Sequence, residues 1–396
     1  MKKPRITEGV LRMRFEDIYG RYTQRELSME DAAEILGISV RTFLRKRTRY
    51  EETGFDGLYD KRLGKTSPHR AADLEVEAIT KLYKERYRNF SVKHFHEFAK
   101  REHGLKYGYT WTKDCLMNAG LVKKSKRGGD HRLRRERRPM TGMMIHQDGS
   151  THEWITALGY NIDLIITLDD ASSEITSGFF VPQEGTWSTF RGIKETVENY
   201  GLFCSFYTDR GSHYWYTPEA GGKVDKHQLT QVGRALKQFG IQHIAAYSPQ
   251  ARGRSERMFG TLQNRLPQEL TLAGITTMDA ANEYLKSIYL PRHNEQFSVK
   301  PKEEKTAYTP WIGLDINEIL CIQEERVVQN DNTVIFEKLR LQIQKDDLRH
   351  HYVRTTIQVR QYADDSLGLF FGNRCLGRFD GYGNLFELKT PLKQVA

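Results

Sequence analysis

Three short apolar segments in the middle of the chain most constrain its fold. Met143 to Ile145 and Phe203 to Tyr207 have the length and composition of β-strands, and Leu164 to Leu168 is almost continuously apolar. An almost unbroken apolar run is typical of a strand that is buried inside an α/β sheet. The sequence therefore predicts an α/β domain in this region.

Two aspartates follow strands of this predicted sheet. Asp148 ends the first apolar segment, and Asp209 stands at the carboxyl end of the third, where Gly211 favours a turn. In open α/β sheets, ligands commonly bind in the crevice outside the strand ends. We therefore expect both carboxylates to lie near one crevice.

A third acid, Glu256, belongs to a predicted helix. Pro249 and Gly253 mark a helix boundary before it, and the apolar residues that follow are spaced as one helical face: Phe259, Leu262 and Leu266. A carboxylate in a first helical turn is also favoured by the helix dipole, so Glu256 alone is equally compatible with a surface acid. Together, however, three carboxylates could hold two Mg²⁺ ions and support phosphoryl transfer on nucleic acid.

The local motifs around these acids resemble a known catalytic core. Thr-Asp-Arg-Gly-Ser at 208–212 and Tyr-Ser-Pro-Gln-Ala-Arg-Gly-Arg-Ser-Glu-Arg at 247–257, in the order strand-Asp, strand-Asp, helix-Glu, resemble the core of retroviral integrases and bacterial insertion-sequence transposases. The resemblance covers roughly Met140 to Pro301. It implies a ribonuclease H-like fold and a catalytic, metal-binding triad of Asp148, Asp209 and Glu256. It also implies two Mg²⁺ ions, for which Mn²⁺ can substitute.

Two features of this region depart from a simple match. Glu256 follows Asp209 by 47 positions, which is longer than usual for the family, and the loop-like segment Tyr214 to Thr230 explains the difference as an insertion. Asp169 and Asp170 follow the second apolar run and could also face the crevice. We interpret them as turn residues.

Basic residues predict contact with a polyanion. The chain has 61 Lys and Arg against 51 Asp and Glu, a net charge of +10 and a pI near 9.2, which does not by itself distinguish DNA from RNA or a membrane surface. Nine Lys or Arg and two acids lie between Leu121 and Arg138, a run that favours phosphate contact over a solvated spacer. The predicted DNA contacts of this linker and of the Glu256 helix are Lys123, Lys124, Arg134, Arg135, Arg137, Arg138, Arg252, Arg254 and Arg257.

The amino-terminal region predicts a helix-turn-helix unit. Ser28 and Asp31 form a capping box, Gly37 makes the turn, and Ser39 caps a second helix with a basic exposed face. That second helix is the predicted recognition helix in a DNA major groove. Its predicted DNA contacts are Arg41, Arg45, Lys46 and Arg49.

A second helix-turn-helix-like unit is expected before the linker. Leu74 to Arg88, Val92 to His103 capped by Ser91, and Thr110 to Ala119 have helical patterns. Three histidines in this unit, His94, His96 and His103, lack acid or cysteine partners at ligand spacing, so we interpret them as packing or surface residues.

After the core, short alternating segments separated by Asn, Asp and Gly turns predict a small β domain. The sequence supports only a generic β domain, and the resemblance implies an SH3-like barrel. The predicted architecture is thus multidomain α + α/β + β. Its parts are a helix-turn-helix domain (1–66), a second such domain (67–121), a basic linker (122–139), the catalytic core (140–301) and a β-barrel (302–396).

The chain has no stretch of about 18 apolar residues and no secretory signal, so we expect a soluble cytoplasmic protein without a membrane partner. Four widely spaced cysteines suggest neither a zinc ribbon nor a disulfide framework. The expected function is that of a DNA transposase, at least a dimer on double-stranded DNA, that binds terminal repeats, cuts 3′ ends and joins them to target DNA. The alternatives are a DNA-binding regulator with an inactive core and a ribonuclease H-like nuclease.

Overall fold

The computed structural model describes residues 5–59, 70–124, 136–219, 222–247, 253–313, 315–345 and 348–387. The chain divides into two compact units, Met1–Ile79 and Thr80–Ala396. Among the described residues, no helix is long and apolar enough to cross a bilayer.

The first unit is built around a helix-turn-helix. Its helices are α1 (Arg5–Thr23), α2 (Met29–Leu36) and α3 (Val40–Thr53). The capping box of Ser28 and Asp31 is present, Gly37 ends α2 in the left-handed conformation, and Ser39 accepts a hydrogen bond from the Thr42 amide. These observations confirm the turn and both predicted caps.

Helix α1 was not predicted, although its sequence contains a signal for it. Phe15 and Ile18 are buried, and Tyr19 and Tyr22 pack against the same cluster. This spacing of three and four residues is that of one helical face. The cluster joins α1 to Phe43 of α3, so the unit has a small aromatic core.

The second unit begins with a helical region close to the predicted one. Helix α4 (Asp73–Arg86) crosses the unit boundary and is followed by α5 (Val92–His103) and α6 (Tyr109–Asn118). Ser91 caps α5 and Gly104 ends it, as predicted. His94 and His96 are buried and hydrogen-bonded to Glu269 and Thr112, respectively.

A five-stranded mixed sheet forms the core, in the order β3-β2-β1-β4-β5. β1 and β2, and β2 and β3, pair antiparallel, whereas β4 is parallel to both β1 and β5. This mixed α/β architecture agrees with the ribonuclease H-like core that was predicted. The strands are β1 (Ile145–His152), β2 (Ile162–Asp169), β3 (Ile175–Val181), β4 (Ser205–Thr208) and β5 (Gln242–Ala245).

Helices cover both faces of this sheet. They are α7 (Thr186–Tyr200), α8 (Gln231–Phe239), α9 (Gly253–Gln263), α10 (Leu266–Leu272), α11 (Met278–Tyr284) and α12 (Leu290–Phe297), the last two joined by a π-helical turn at Leu285–Tyr289. One apolar cluster joins β2 to α9 and α10, and another joins β4 to α7 and α8. The predicted buried strand 164–168 is confirmed, because all of β2 is buried.

The carboxyl-terminal region is an open sheet with an added hairpin. Its strands are β6 (Ile322–Val327), β7 (Thr333–Phe336), β8 (Leu339–Gln342), β9 (Thr356–Gln361), β10 (Leu367–Phe371), β11 (Arg374–Phe379) and β12 (Leu385–Glu387). The sheet order is β12-β11-β10-β9-β6, and β7 pairs with β8.

The expectation of a closed β-barrel is not supported. Among the described residues, β6 and β12 remain the two edges of the sheet, and the β7–β8 hairpin pairs only with itself. Val334, Phe336 and Leu341 of the hairpin cover the inner face of the sheet, where Ile357 and Val359 are buried. Packing therefore buries the apolar face without closure of the sheet.

Candidate active site

Asp148 lies inside strand β1, three residues beyond the predicted end of that strand. His146, Gln147 and Asp148 are all buried in the strand. Apolar periodicity does not detect such a segment, because its inward-facing side chains are polar. The strand prediction of Met143 to Ile145 was therefore too short and placed too early.

The register of β1 and β4 brings the two aspartates together. Ile145 pairs with Phe206 and His146 with Tyr207, so the same register continued by two residues places Asp148 beside Asp209. Neighbouring strands lie about 4.8 Å apart. The ring centres of His146 and Tyr207 are 4.9 Å apart. Because side chains alternate between the two faces of a strand, Asp148 and Asp209 lie on the same face as these rings.

Asp209 follows β4 directly, as predicted, and a tight turn fixes its carboxylate. Its Oδ1 accepts a hydrogen bond from the Gly211 amide at 2.8 Å. A Cβ at Gly211 would lie 3.1 Å from that Oδ1 and from His213 Cε1, so glycine allows the close approach. The backbone therefore holds the acid at the strand end.

The end of β4 is anchored by aromatic side chains. Thr208 Oγ1 accepts a hydrogen bond from Trp215 Nε1 at 3.1 Å and lies 3.1 Å from His243 Nε2. The rings of Trp215 and His243 stack at 3.8 Å, and burial lowers the pKa of His243 to about 3. A neutral imidazole thus supports the residue that precedes Asp209.

Tyr214 connects the segment after Asp209 to the opposite face of β1. Its hydroxyl donates to Gln147 Oε1 at 3.0 Å or to Glu184 Oε1 at 3.1 Å. The pKa of Tyr214 is raised well above its usual value, mainly by burial and next by the charge of Glu184. The charges of Asp209 and Asp148 act in the same direction. Tyr214 therefore links the segment after Asp209 to the residue next to Asp148 in β1.

Helix α9 lies along the face of β1 that contains Asp148. At the start of α9, Arg254 binds the carboxylate of Asp170. Oδ1 of this carboxylate lies 2.7 Å from His146 Nε2. Near its end, Gln263 Nε2 donates to Ser150 Oγ at 3.2 Å. His146 and Ser150 flank Asp148 on one face of β1, and α9 is anchored beside both.

Glu256 is in the first turn of α9 and is exposed to solvent. It lies on the same edge of the helix as Gln263, because seven residues make about two helical turns. Within the described parts of the chain, no three His, Cys, Asp or Glu side chains are grouped closely enough to hold a metal ion. The structure thus brings Asp148 and Asp209 together and places Glu256 on a helix along the same face.

The donor chemistry of these residues fits Mg²⁺. Asp148 inside β1 and Asp209 just after β4 offer hard carboxylate oxygens, and Glu256 could supply a third from α9. Asp148 is 8 % exposed, Asp209 is half-buried and Glu256 is exposed, so the three carboxylates differ in their access to solvent.

The two acids after β2 have different roles. Asp169 accepts hydrogen bonds from the amides of Ala171 and Ser172, which confirms the turn interpretation for this residue. Asp170 is also buried, but its carboxylate binds His146 and Arg254. For Asp170 the turn interpretation was therefore incomplete.

The predicted basic residues of the linker and α9 occupy different environments. Arg257 is exposed, and its Nε donates to the Gly253 carbonyl, whereas the Arg254 side chain is only 9 % exposed. Lys123, Lys124 and Arg138 are exposed, and Arg137 is half-buried. The remaining predicted contacts lie outside the described residues: Arg134, Arg135 and Arg252.

The predicted recognition helix α3 presents an exposed basic stripe. Arg41, Arg45 and Arg49 are exposed at intervals of four residues, so they lie along one side of the helix. Lys46 is half-buried, with its Nζ 5.7 Å from the centre of the Phe15 ring. The stripe of three arginines is thus the part of the predicted set that is best placed for a groove.

The side chains that support the aspartates were not predicted from the sequence. Tyr214 and Trp215 lie in a segment predicted as a loop, yet both are buried. Two adjacent large aromatic residues in such a segment were the available signal for its burial. Asp170 offered a comparable signal, since it directly follows a completely buried strand.

Comparison with known proteins agrees with these observations. Residues 20–66 match the model of a helix-turn-helix domain. The chain is 28% identical over 355 residues to the putative transposase y4bF of Sinorhizobium fredii, covering 89% of this chain and 77% of that protein. It is also 28% identical to the transposase for insertion sequence IS1202 of Streptococcus pneumoniae, covering 80% of this chain and 74% of that protein.

The chain resembles bacterial insertion-sequence transposases. The resemblance inferred from the motifs is thus confirmed by sequence similarity along most of the chain. Among solved structures, a simian T-cell lymphotropic virus intasome in complex with a PP2A regulatory subunit matches with 13% identity and a TM-score of 0.34, covering 79% of this chain and 100% of that chain. The catalytic core domain of HTLV-2 integrase in complex with magnesium matches with 16% identity and a TM-score of 0.28, covering 37% and 85%.

Proposed function

We propose that this protein is a DNA transposase that binds the terminal repeats of a mobile element, cuts the 3′ ends and joins them to target DNA. The observation that supports this most directly is the β1–β4 register, which pairs His146 with Tyr207 and so directs Asp148 and Asp209 to the same place, with α9 and Glu256 along the same face. Similarity to transposases and the helix-turn-helix domain support the same activity.

The proposed reaction has two steps. In the first, a water oxygen attacks a phosphodiester, the bond from phosphorus to the 3′ oxygen breaks, and that oxygen leaves with a proton as a 3′-hydroxyl. In the second, the new 3′-hydroxyl loses its proton and attacks a phosphodiester of the target. The bond from that phosphorus to the target's 3′ oxygen breaks, and this oxygen leaves with a proton as a 3′-hydroxyl of the target strand. Two Mg²⁺ ions on Asp148, Asp209 and Glu256 would activate the attacking oxygen and stabilise the leaving one.

Other parts of the chain would bind DNA. The exposed stripe on α3 fits contacts with base edges in a major groove, and the basic linker fits contacts with phosphates. Two element ends must be processed together, so we propose that the active form is at least a dimer on double-stranded DNA.

A strand-transfer assay tests this function. Purified protein is incubated with an oligonucleotide that contains an element end, target plasmid, and Mg²⁺, Mn²⁺ or EDTA. We expect joined products with either metal ion and none with EDTA. End-specific binding without joining would support a DNA-binding regulator instead, and cleavage of any duplex or hybrid without joining would support a nuclease.

A further inference from the structure

A buried carboxylate next to the candidate active site makes contacts that the proposed chemistry does not use. Asp170 is 1 % exposed and follows β2. His146 Nε2 lies 2.7 Å from Oδ1, the Arg138 amide donates to Oδ2 at 2.8 Å, and the Arg254 guanidinium binds Oδ1. An ionised carboxylate only accepts hydrogen bonds, so all three groups act as donors.

Arg254 completes this buried group of charges. Its side chain is 9 % exposed, and it also donates to the backbone oxygen of Asp170 at 3.2 Å and to that of Glu136 at 2.8 Å. Burial of a charge is costly unless the charge is paired and its hydrogen bonds are satisfied. Arg254 is therefore committed to contacts within the protein, and a phosphate contact would require it to leave Asp170.

The same turn also holds the end of the basic linker. Arg137 donates to the Asp170 carbonyl at 3.0 Å and to Ser173 Oγ at 2.7 Å. Together with the Arg138 amide, these bonds fix residues 136–138 against the turn after β2. Three segments thus meet at Asp170: the linker end, the strand that contains Asp148, and the start of α9.

Glu256 follows Arg254 by two residues in the first turn of α9. The first turn of a helix lacks some of the internal hydrogen bonds that hold later turns, so its position depends on outside contacts. We propose that Asp170 is a positioning residue, which uses Arg254 to fix the first turn of α9 and thereby orients Glu256 toward Asp148 and Asp209. The expected effect on strand transfer rests on the proposed function, whereas the expected effect on the first turn of α9 does not.

The test compares Asp170→Asn, which keeps the shape of the side chain but removes its charge, with Glu318→Gln as a matched control. Glu318, at the end of a short 3₁₀ helix (Ile316–Glu318), forms a partly buried pair with Arg360 of β9 at 2.7 Å. Hydrogen exchange is measured on the amides from Arg257 to Thr261, whose helical hydrogen bonds run back to the first turn. Strand transfer is measured in the same samples at saturating DNA and varied Mg²⁺.

We expect faster exchange of these amides in Asp170→Asn and unchanged exchange in Glu318→Gln. Strand-transfer turnover of Asp170→Asn should fall by about 100-fold, which is the scale for a misplaced catalytic group, and half-maximal activity should require more Mg²⁺. The affinity for DNA should stay the same. Arg254→Lys, which keeps the charge but removes the branched guanidinium, should have an intermediate effect on exchange and turnover.

Unchanged hydrogen exchange in folded Asp170→Asn would overturn the inference. So would a loss of strand transfer that is proportional to the loss of folded protein and leaves the Mg²⁺ dependence unchanged. If Asp170→Asn does not fold, the same readouts on Arg254→Lys decide: unchanged exchange and Mg²⁺ dependence would overturn it. If the wild-type protein shows no strand transfer, the proposed function fails, and hydrogen exchange alone still decides whether Asp170 holds α9.

Discussion

Buried histidines provide polar contacts within the second unit. His94 is fully buried, stacks on Phe90 with ring centres 4.1 Å apart, and lies 2.9 Å from Glu269 Oε1. Burial, followed by the charge of Arg265, lowers the pKa of His94 to about 3. The ring is thus neutral at pH 7 and acts as a hydrogen-bond donor to Glu269.

This histidine should make stability depend on pH. In the unfolded chain His94 binds a proton below about pH 6.5, whereas in the folded protein it does so only near pH 3. The neutral ring therefore contributes its full free energy of stabilisation above pH 6.5, and this contribution decreases as the pH falls toward 3. Between pH 7 and pH 5 the stability advantage of wild type over His94→Gln should shrink by about 2 kcal/mol, measured by urea unfolding. The exposed His227→Gln serves as the control, and an equal pH dependence for both variants would contradict this assignment.

The sequence identified the three candidate acids by their local contexts but not the residues that support them. The position of Asp209 at a strand end could be predicted because an apolar strand and a glycine flank it. Asp170 could not, since Asp-Asp-Ala-Ser-Ser fits a turn, and Asp169 indeed makes that turn. Only tertiary packing, which places Arg254 against the turn from 84 positions away, distinguishes the two acids.

Among the secondary-structure elements, those with unbroken local patterns were predicted well. The caps at Ser28, Ser39 and Ser91 fixed three helix starts. Strand β1 was misplaced because its functional side chains break the apolar alternation, which is common at sites where function conflicts with local rules. Whether the carboxyl-terminal sheet is open or closed could not be predicted, because strands of an open sheet and of a barrel have the same alternating sequence pattern.

Helix α3 should determine the choice of DNA sequence. Replacement of Arg41, Arg45 and Arg49 together by alanine should reduce the ratio of end to random DNA binding, since side chains in the groove recognise bases. Lys46→Ala should change this ratio less, because its ammonium lies over the Phe15 ring. The ratios are measured by competition binding with end and scrambled duplexes.

Arg21→Ala on α1 is the matched control, since its guanidinium pairs with Glu26. An unchanged ratio in the triple α3 variant would show that another region recognises the element ends.

At the scale of the whole molecule, the linker should supply affinity without sequence preference. Arg134→Gln, Arg135→Gln and Arg138→Gln together should weaken binding to end and random DNA alike. The slope of log affinity against log salt should become shallower by about 0.9 for each DNA phosphate that the variant no longer neutralises. Exposed Arg340→Gln in β8 of the carboxyl-terminal hairpin is the control, and an unchanged slope in the linker variant would mean that the run is a solvated spacer.

The most direct test of the account is strand transfer by variants of the three acids. Asp148→Asn, Asp209→Asn and Glu256→Gln should each abolish Mg²⁺-dependent cleavage and joining and leave binding to end DNA intact, because each removes a metal ligand without altering α3. Glu153→Gln, an exposed acid close to Asp148 in sequence, should remain active. Near-normal joining by any one of the three variants would remove that residue from the catalytic site and contradict the account.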